Sequence, residues 1–407
     1  MIEWLAFPAA LAIAAALPKP KGNDKKKIQT IFENVGYGVR GSDGKLKTPK
    51  YKTKLPIKDG EEDIGTVYKY SIPLGLPATK MAELEAKIQV FTDGLQKPVE
   101  VDFNKTLNIK VYDRGLPKRF PYSELPIRNE SWFVPLGRSV SGIVWHDFDQ
   151  TPHMTIAGTT RFGKTVMLRM MMTYLIENHP DDVEFYIIDL KGGLEFSRYE
   201  LLQQVKGVAA DPLESAQMLE GIHEQMQRDY MFFRKQHYAN VVDTPIRKRR
   251  FVIIDEAAQL APEKWMHKKM KDMLGMSQYF LGEIARIGGA LGYREVFCTQ
   301  YPTSDTLPRT IKQNADAKIS FRLPSGYASG VAIDDYGAEK LPSDVKGRAL
   351  FKTHELKELQ TPLIEHDEMW KRLEKYQVPQ LMEGEASNVV NERKEAETPR
   401  NDLVKFH

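Results

Sequence analysis

The chain has 407 residues, of which 42% are hydrophobic and 28% charged, and its formal net charge at pH 7 is +3. This length accommodates two or three domains with substantial cores. A single cysteine, Cys298, excludes a framework of intrachain disulfides and is typical of a reducing, cytoplasmic setting. Because the net charge is small, the distribution of charge along the chain is more informative than its total.

An apolar segment opens the chain. Residues 4–17 are an uninterrupted apolar run, and lysines follow it at once. The run is short for a membrane-spanning helix, which usually needs about 20 residues. Lysines after the run favour a body held in the cytoplasm, whereas a cleaved secretory signal carries its positive charge before the apolar stretch. We predict a membrane anchor over residues 1–18; a buried or disordered N-terminus is the alternative.

Residues 19–64 are predicted to be a basic linker. Between Lys19 and Lys54 there are eleven Lys or Arg and three acidic residues, a local net charge of +8. Two hypotheses remain open for this segment. It is either a solvated, flexible connection or a basic arm that rests on nucleic acid or on anionic lipid headgroups.

A small α+β module is predicted over residues 65–116. Several segments alternate apolar and polar side chains as strands do, and one stretch carries apolar residues at helical spacing. Gly94 comes directly after the helical pattern and is typical of a helix C-terminus. The strands are predicted over residues 67–72, 99–101 and 107–111, and the helix over 79–93.

Strands alternate with helices over residues 117–370. This order predicts an α/β fold with a mostly parallel sheet and helices on both of its faces. Residues 371–407 are polar and are predicted to be a disordered tail. The predicted strands are residues 153–157, 184–189, 251–255, 295–299 and 318–323.

Residues 158–165 match the pattern G-x-x-x-x-G-K-[ST] of a phosphate-binding loop, and they lie between a predicted strand and a helix over 166–178. In such a loop, backbone N–H groups surround the phosphates at the positive end of the helix. Lys164 would reach the terminal phosphates and Thr165 would bind Mg²⁺. The predicted nucleotide ligands are Gly158, Thr159, Thr160, Arg161, Phe162, Gly163, Lys164 and Thr165.

Polar side chains that end three further strands complete the predicted site. Asp255 and Glu256 follow four large apolar residues; Asp255 would hold Mg²⁺ through water, and Glu256 would orient and polarise the attacking water. Gln300 would sense the γ-phosphate, and a capping role at its strand end is the alternative. Lys191, which follows Asp189, would touch phosphate or stabilise a neighbouring subunit.

Cations outside the loop are harder to interpret. Phosphoryl transfer gains from an arginine supplied by a neighbouring subunit, and Arg286 and Arg322 are candidates that spacing alone does not separate from ordinary surface residues. The basic runs at residues 247–250 and 264–271 are interpreted as solvated faces. The alternative is a pore surface that follows a phosphate backbone.

The order of these motifs resembles the FtsK/SpoIIIE family of DNA translocases, and within it the TcpA-like conjugative coupling proteins of Gram-positive plasmids and integrative elements. The resemblance covers about residues 65–362. It is carried by Leu136-Gly137, Pro152-His153, Gly163-Lys164-Thr165, Ile188-Asp189 with Lys191, Asp255-Glu256, Ala290-Leu291-Gly292, Thr299-Gln300, Phe321-Arg322 and residues 337–341.

This resemblance implies a RecA-like motor over residues 117–370 that hydrolyses ATP with Mg²⁺. It also implies a homo-hexameric ring around double-stranded DNA, with ATP between subunits and with relaxase or transfer-channel proteins as partners. The catalytic roles that it implies fall on Lys164, Glu256, Gln300 and Arg322.

Three positions depart from the family pattern. Arg161-Phe162 replaces the usual Gly-Ser of the loop, Tyr301 replaces an arginine, and Gly289 stands where an arginine often lies. The last departure leaves the arginine finger open and favours Arg322 or Arg286. We expect no sequence-reading winged-helix domain and no multi-span membrane region, which favours a mobile-element motor over a chromosome-segregation protein. A type VII protein-secretion ATPase and a non-catalytic nucleotide-binding assembly factor are the alternatives.

Overall fold

The structure is a computed structural model that describes residues 24–378 except 43, 77–78, 80–83, 85–87 and 304–305. The predicted anchor and most of the predicted tail lie outside these residues. Within them, no helix is both long enough and apolar enough to cross a membrane. The described chain divides into two compact units, residues 24–116 with 140–142 and residues 117–139 with 143–378.

The first unit contains a four-stranded antiparallel sheet of described residues, and helices pack on one of its faces. The sheet has the order β3-β4-β6-β5, so β3 and β5 are its edges. Alternate residues of the sheet, such as Leu107 and Ile109, join Phe32 and Phe91 of the helices in one apolar core. The elements are α1 (Asp24–Asn34), β1 (Val39–Arg40), β2 (Leu46–Lys47), β3 (Lys50–Asp59), β4 (Glu62–Ser71), α2 (Ile88–Leu95), β5 (Val99–Asn104) and β6 (Thr106–Tyr112).

The structure differs from the predicted linker, because residues 24–59 belong to this unit. Helix α1 buries Ile28 and Phe32, and the ring of Phe32 lies edge-on to those of Tyr70 and Phe91, with centroid distances of 5.1 and 5.5 Å. These few apolar residues recur at helical spacing among many lysines. The basic composition therefore concealed an amphipathic helix.

Gly94 does not end the second helix, contrary to the sequence-based expectation. Helix α2 continues to Leu95, and Gln96 takes the left-handed conformation after it, with a φ of 56°. A Cβ atom on Gly94 would lie 3.0 Å from Cδ1 of Ile31. The glycine therefore permits close packing between α1 and α2.

The second unit is built on a ten-stranded sheet of described residues with the order β11-β10-β12-β13-β9-β14-β15-β16-β7-β8. Strands β11 to β14 of this order run parallel, and β14, β15, β16 and β7 continue the sheet through antiparallel pairs. The strands are β7 (Phe133–Ser139), β8 (Gly142–Asp147), β9 (Met154–Ala157), β10 (Val183–Ile188), β11 (Val205–Ala209), β12 (Arg249–Ile254), β13 (Tyr293–Thr299), β14 (Ala317–Phe321), β15 (Arg348–Lys352) and β16 (Leu356–Gln360).

Helices cover both faces of this sheet. Helix α3 packs with Ile253 and Cys298 on one face, whereas α4 and α5 pack with Val252 and Phe297 on the other. The predicted α/β fold with a mostly parallel sheet is confirmed. The helices are α3 (Lys164–Asn178), α4 (Pro212–Gln236), α5 (Lys268–Ile287), α6 (Arg309–Asn314), α7 (Gly326–Ile333) and α8 (His366–Leu373).

One carboxylate holds two buried arginines near the start of β12 and β13. Nε and Nη2 of Arg249 donate to Asp149 at 2.8 and 3.0 Å, and Nη2 of Arg294 donates to it at 2.6 Å. Burial alone would raise the pKa of Asp149, but the two guanidinium groups bring it below its usual range. Burial also lowers the pKa of Arg294 to about 10, despite this partner.

The basic run at residues 247–250 is paired with carboxylates in the structure. Arg247 and Lys248 are exposed, as expected for a solvated face, whereas the other two arginines are not. Arg249 is buried against Asp149. Its three neighbours also have carboxylate partners: Arg247 pairs with Asp182, Lys248 with Glu184, and Arg250 with Glu184 and Asp229.

We expect Asp149→Asn to lower the free energy of unfolding at neutral pH by about 3 kcal/mol or more, because two buried guanidinium groups lose their counter-charge. The folded-state pKa of Asp149 lies below its ordinary value of 3.8. Its stabilisation is therefore present above that value and is lost as pH falls through the folded-state pKa. The difference between variant and wild type should shrink below about pH 4 in urea unfolding.

Glu283→Gln is the control for this prediction, since it breaks a surface ion pair with Arg286. It should cost less than about 1 kcal/mol. Equal decreases of stability in Asp149→Asn and Glu283→Gln would contradict a special role for the buried cluster.

Candidate functional site

The loop over residues 158–165 connects β9 to α3 at the carboxyl edge of the parallel strands. Its first residues are fixed by the two strands that flank β9. The N–H of Gly158 donates to the carbonyl of Thr299 at 3.2 Å, and the N–H of Thr159 donates to the carbonyl of Arg322 at 3.2 Å. The start of the loop is therefore hydrogen bonded to the ends of both β13 and β14 at this edge.

The unusual pair Arg161-Phe162 has a structural basis. The side chain of Phe162 packs against the core of the second unit, and its carbonyl accepts a hydrogen bond from the N–H of Gly347 at 2.9 Å. Arg161 has a φ of 72° and lines the adjacent cavity. A non-glycine residue in the left-handed region costs of order 1 kcal/mol or more and is found often at ligand sites.

Two glycines of the loop allow close contact with β14. A Cβ atom on Gly158 would lie 2.7 Å from Cβ of Phe321. Gly163 has a φ of 124°, which other residues rarely adopt, and a Cβ there would lie 3.0 Å from Cε1 of the same phenylalanine. The pattern's two glycines are thus required by backbone geometry and by space.

Two lysines meet two carboxylates below the loop. Nζ of Lys164, which is buried, donates to the carbonyl oxygen of Asp255 at 2.7 Å and lies 3.4 Å from Oε2 of Glu256. Asp255 is fully buried, and its Oδ2 accepts from Nζ of Lys191 at 2.8 Å. Burial lowers the pKa of Lys191, but its hydrogen bond to Asp255 and the charges of Asp255, Glu256 and Asp189 outweigh that effect, so its pKa is raised.

Glu256 is also tied to the end of β13. Its Oε1 accepts from the N–H of Gln300 at 3.2 Å and from Oγ1 of Thr299 at 3.5 Å. The side-chain oxygen of Gln300 in turn accepts from Oγ1 of Thr160 in the loop at 3.1 Å. The structure therefore brings together the loop, Asp255, Glu256, Lys191 and Gln300, which were singled out separately in the sequence.

The oxygen atoms at this site suit Mg²⁺, a hard cation that prefers carboxylate, hydroxyl and water ligands. Oδ1 of Asp255 is buried and has no hydrogen-bond partner among the described residues, although Nζ of Lys164 lies 3.8 Å away. The hydroxyl-bearing Thr165 lines the adjacent cavity. These two residues are the predicted magnesium ligands.

A cavity of about 790 Å³ lies beside the loop. Thr160, Lys164 and Gln300 line it. Residues 344–347, 360–363 and 365 also line it and were not predicted from the sequence. The weak sequence signal for this part of the lining is a glycine directly before a short strand. This glycine, Gly347, has a φ of 79° in the structure.

The two candidate arginines lie in different surroundings. The carbonyl of Arg322 accepts from Thr159 of its own chain, and its guanidinium donates to the carbonyl of Leu341. Arg286 is exposed and pairs with Glu283. Neither arrangement tests a role in a neighbouring subunit, which stays a prediction for both.

Gly289, the position where an arginine often lies in related motors, has a clear packing requirement here. A Cβ atom at Gly289 would lie 2.9 Å from Cγ of Pro152 and 3.2 Å from Nε2 of His153. His153 is buried, and its Nδ1 accepts from the N–H of Glu295 at 3.0 Å. Burial, with the charge of Arg294, lowers the pKa of His153 to about 3, so this histidine is a neutral structural residue.

The family model for FtsK/SpoIIIE matches residues 126–336, just over half of the chain. The chain belongs to the FtsK/SpoIIIE family. The DNA translocase FtsK of Lactiplantibacillus plantarum is 32% identical over an alignment of 226 residues, and the match covers 51% of this chain and 27% of that protein. The DNA translocase FtsK of Streptococcus pneumoniae is 29% identical over an alignment of 237 residues, and the match covers 54% of this chain and 29% of that protein. The chain thus spans less than a third of the length of these relatives.

Two solved structures have a similar fold. The conjugation coupling protein TcpA of pCW3, in a monomer form with ATPγS, has a TM-score of 0.60 and 22% identity, and the match covers 86% of this chain and 99% of that one. The cytoplasmic domain of the type VII secretion ATPase EccC from Thermomonospora curvata has a TM-score of 0.52 and 21% identity, and covers 65% and 33%. The fold expected from the family resemblance is therefore confirmed.

We expect Gly158→Ala to destabilise this FtsK/SpoIIIE unit by about 1–3 kcal/mol, because the new methyl group would overlap with Phe321. Thermal unfolding should show a lower midpoint. Gly221→Ala is the matched control, since a Cβ at this position in α4 would meet nothing within 4 Å. The control should leave the midpoint unchanged or raise it, as alanine favours helix. An unchanged midpoint in Gly158→Ala would contradict the close approach of the loop to β14.

Proposed function

We propose that this chain is an ATP-hydrolysing DNA translocase that acts as the coupling motor of a conjugative plasmid or integrative element. The observation that carries this proposal is the cluster of Lys164, Asp255, Glu256 and Gln300 beside one cavity at the phosphate loop. Membership of the FtsK/SpoIIIE family supports DNA as the substrate. Two structural neighbours, a coupling protein with ATPγS and a secretion ATPase, support ATP as the nucleotide.

The residues of the cluster suggest separate roles in hydrolysis. Backbone N–H groups of the loop and Nζ of Lys164 bind the phosphates, which requires Lys164 to exchange its present carboxylate contacts for phosphate oxygens. Glu256 orients a water molecule for in-line attack on the γ-phosphorus. As the new bond from the water oxygen forms, the bond to the β,γ-bridging oxygen breaks, and Glu256 accepts the proton. Gln300, hydrogen bonded to the loop, is placed to respond to the γ-phosphate.

Thr165 and Asp255 would hold Mg²⁺, which neutralises charge that develops on the phosphate oxygens. Lys191 now occupies one oxygen of Asp255. We propose that this lysine holds the carboxylate in place until the nucleotide and Mg²⁺ enter together.

Protein secretion is the second candidate function, because the secretion ATPase EccC shares the fold. The extent of the match favours the conjugative role. The coupling protein is matched over 99% of its own length and 86% of this chain, whereas EccC is matched over 33% and 65%. The match to the coupling protein is therefore long enough to include the first unit as well as the second.

Several finer parts of the proposal depend on the resemblance alone. They are a homo-hexameric ring around double-stranded DNA, relaxase or transfer-channel partners, and Arg322 as the arginine that reaches a neighbouring nucleotide. Attachment to the cell membrane through residues 4–17 stays a prediction, since these residues lie outside the described part of the chain.

The proposal predicts that duplex DNA stimulates ATP hydrolysis by the wild-type chain. Glu256→Gln should lower the hydrolysis rate about 100-fold or more, because the attacking water no longer has its general base, while nucleotide binding persists. Phosphate release with and without duplex DNA measures both effects. Glu263→Gln is the control, an exposed carboxylate that accepts a hydrogen bond from Trp265. Absence of DNA stimulation in the wild type would contradict translocation.

A second prediction concerns Lys191. Replacing it with methionine removes a cation that competes with Mg²⁺ for Asp255, so less Mg²⁺ should be needed for nucleotide binding. An ion pair worth about 1 kcal/mol corresponds to about a fivefold lower half-saturating Mg²⁺ concentration. Titration of Mg²⁺ against a fluorescent ATP analogue measures this value. Lys206→Met, which removes a partly exposed lysine near Glu184, should leave it unchanged. A higher requirement in Lys191→Met would show that the lysine assists the metal.

A further inference from the structure

The first unit has an exposed row of lysines on its edge strand. Lys50, Lys52 and Lys54 occupy alternate positions of β3, and all three are exposed. We call these three residues the lysine edge. The register of β3 against β4 shifts between Tyr51 and Thr53, so Lys52 lies in a bulge between the other two lysines. The three residues place a group of exposed cations along one edge strand of the sheet.

The lysine edge differs in its surroundings from the basic run at residues 247–250. Among the described residues, no ion pair is found for any of its three lysines, whereas every cation at 247–250 has a carboxylate partner. Three acids of the same unit are engaged with other cations. Asp24 pairs with Lys97 at 3.1 Å, and Arg114 binds both Asp59 and Glu62 at the far end of β3.

The positive surface extends beyond the strand itself. Nζ of Lys25 in α1 lies 4.0 Å from the centre of the Tyr51 ring, so the lysine-rich start of this helix flanks the edge. Lysines on an edge strand also prevent pairing with another sheet. Protection against pairing explains the lysines of β3, but it does not explain the lysines at the start of α1 beside them.

We infer that the lysine edge is a DNA-binding surface that contacts the phosphate backbone of a duplex. This inference rests on the proposed function, because DNA is the polyanion that the motor would handle. Lysines are point charges that suit sequence-independent phosphate contacts. A membrane surface is less well matched, since surface-binding elements insert several large apolar side chains. On β3, which is described throughout, Leu55 is the one large apolar side chain that is exposed.

The test is the salt dependence of DNA binding by the full chain. The triple variant Lys50→Gln, Lys52→Gln and Lys54→Gln should lower the slope of log affinity against log salt by about 0.9 for each lysine–phosphate pair removed, or about 2.7 in total. Fluorescence anisotropy of a labelled duplex, without nucleotide, measures this slope. Replacing the same lysines with arginine should retain the wild-type slope. These exposed positions should not affect thermal unfolding.

Lys235, Lys371 and Lys375 provide the charge-matched control, because they are exposed lysines of the second unit. Their triple replacement with glutamine should leave the slope unchanged. A wild-type slope in the lysine-edge variant, or an equal fall in the control, would overturn the inference. So would loss of binding to phosphatidylserine-containing vesicles while the DNA slope stays unchanged, which would assign the surface to a membrane.

The DNA-stimulated ATPase rate separates this inference from the proposed function. If duplex DNA stimulates the wild type and the lysine-edge variant keeps its slope, only the inference fails. If the wild type neither binds duplex DNA nor responds to it, both fail.

Discussion

The site depends on one buried electrostatic constraint, the meeting of two lysines and two carboxylates under the phosphate loop. Asp255 is fully excluded from solvent, and a buried carboxylate needs a partner. Lys191 and the Lys164 ammonium supply positive charge, and Glu256 shares Lys164. Under the proposed function, a polyphosphate with Mg²⁺ would take the place of Lys191 beside Asp255, and Lys164 would bind the phosphate oxygens.

The parallel sheet explains why these groups meet. Strands β9, β12 and β13 end at the same edge, so the loop, the acidic pair and Gln300 come from three neighbouring strand ends although they lie more than 40 residues apart in sequence. Close packing makes the arrangement rigid. Gly158 and Gly163 let the loop approach Phe321, and Phe162 ties it to the core. At the opposite edge, Asp149 holds the arginines that begin β12 and β13.

Much of the second unit's fold was predictable because its signals are local and strong. Phe-Val-Ile-Ile before Asp255 indicates a buried strand, and the loop pattern specifies both a strand before it and a helix after it. The antiparallel extension was not predicted: β15 and β16 are short, and much of β16 is exposed, so its pattern is weak. In the first unit, lysines concealed the apolar stripe of α1. The prediction for Gly94 was wrong because the need for space beside Ile31 arises only in three dimensions.

The candidate site also combines features with local sequence signals and features that arise only in three dimensions. Spacing predicted the residues of the candidate site, whose catalytic roles stay predictions, but the contact between Lys191 and Asp255 and the cavity wall at 344–347 depend on chain segments that are remote in sequence. The central claim is that the loop and the charged cluster form one nucleotide site. Calorimetric titration of ATPγS with Mg²⁺ into wild type and Lys164→Ala tests it most directly. We predict one site per chain in the wild type and a decrease in affinity of about tenfold or more in the variant, since a charge-assisted phosphate contact is removed. Equal affinities would contradict the account.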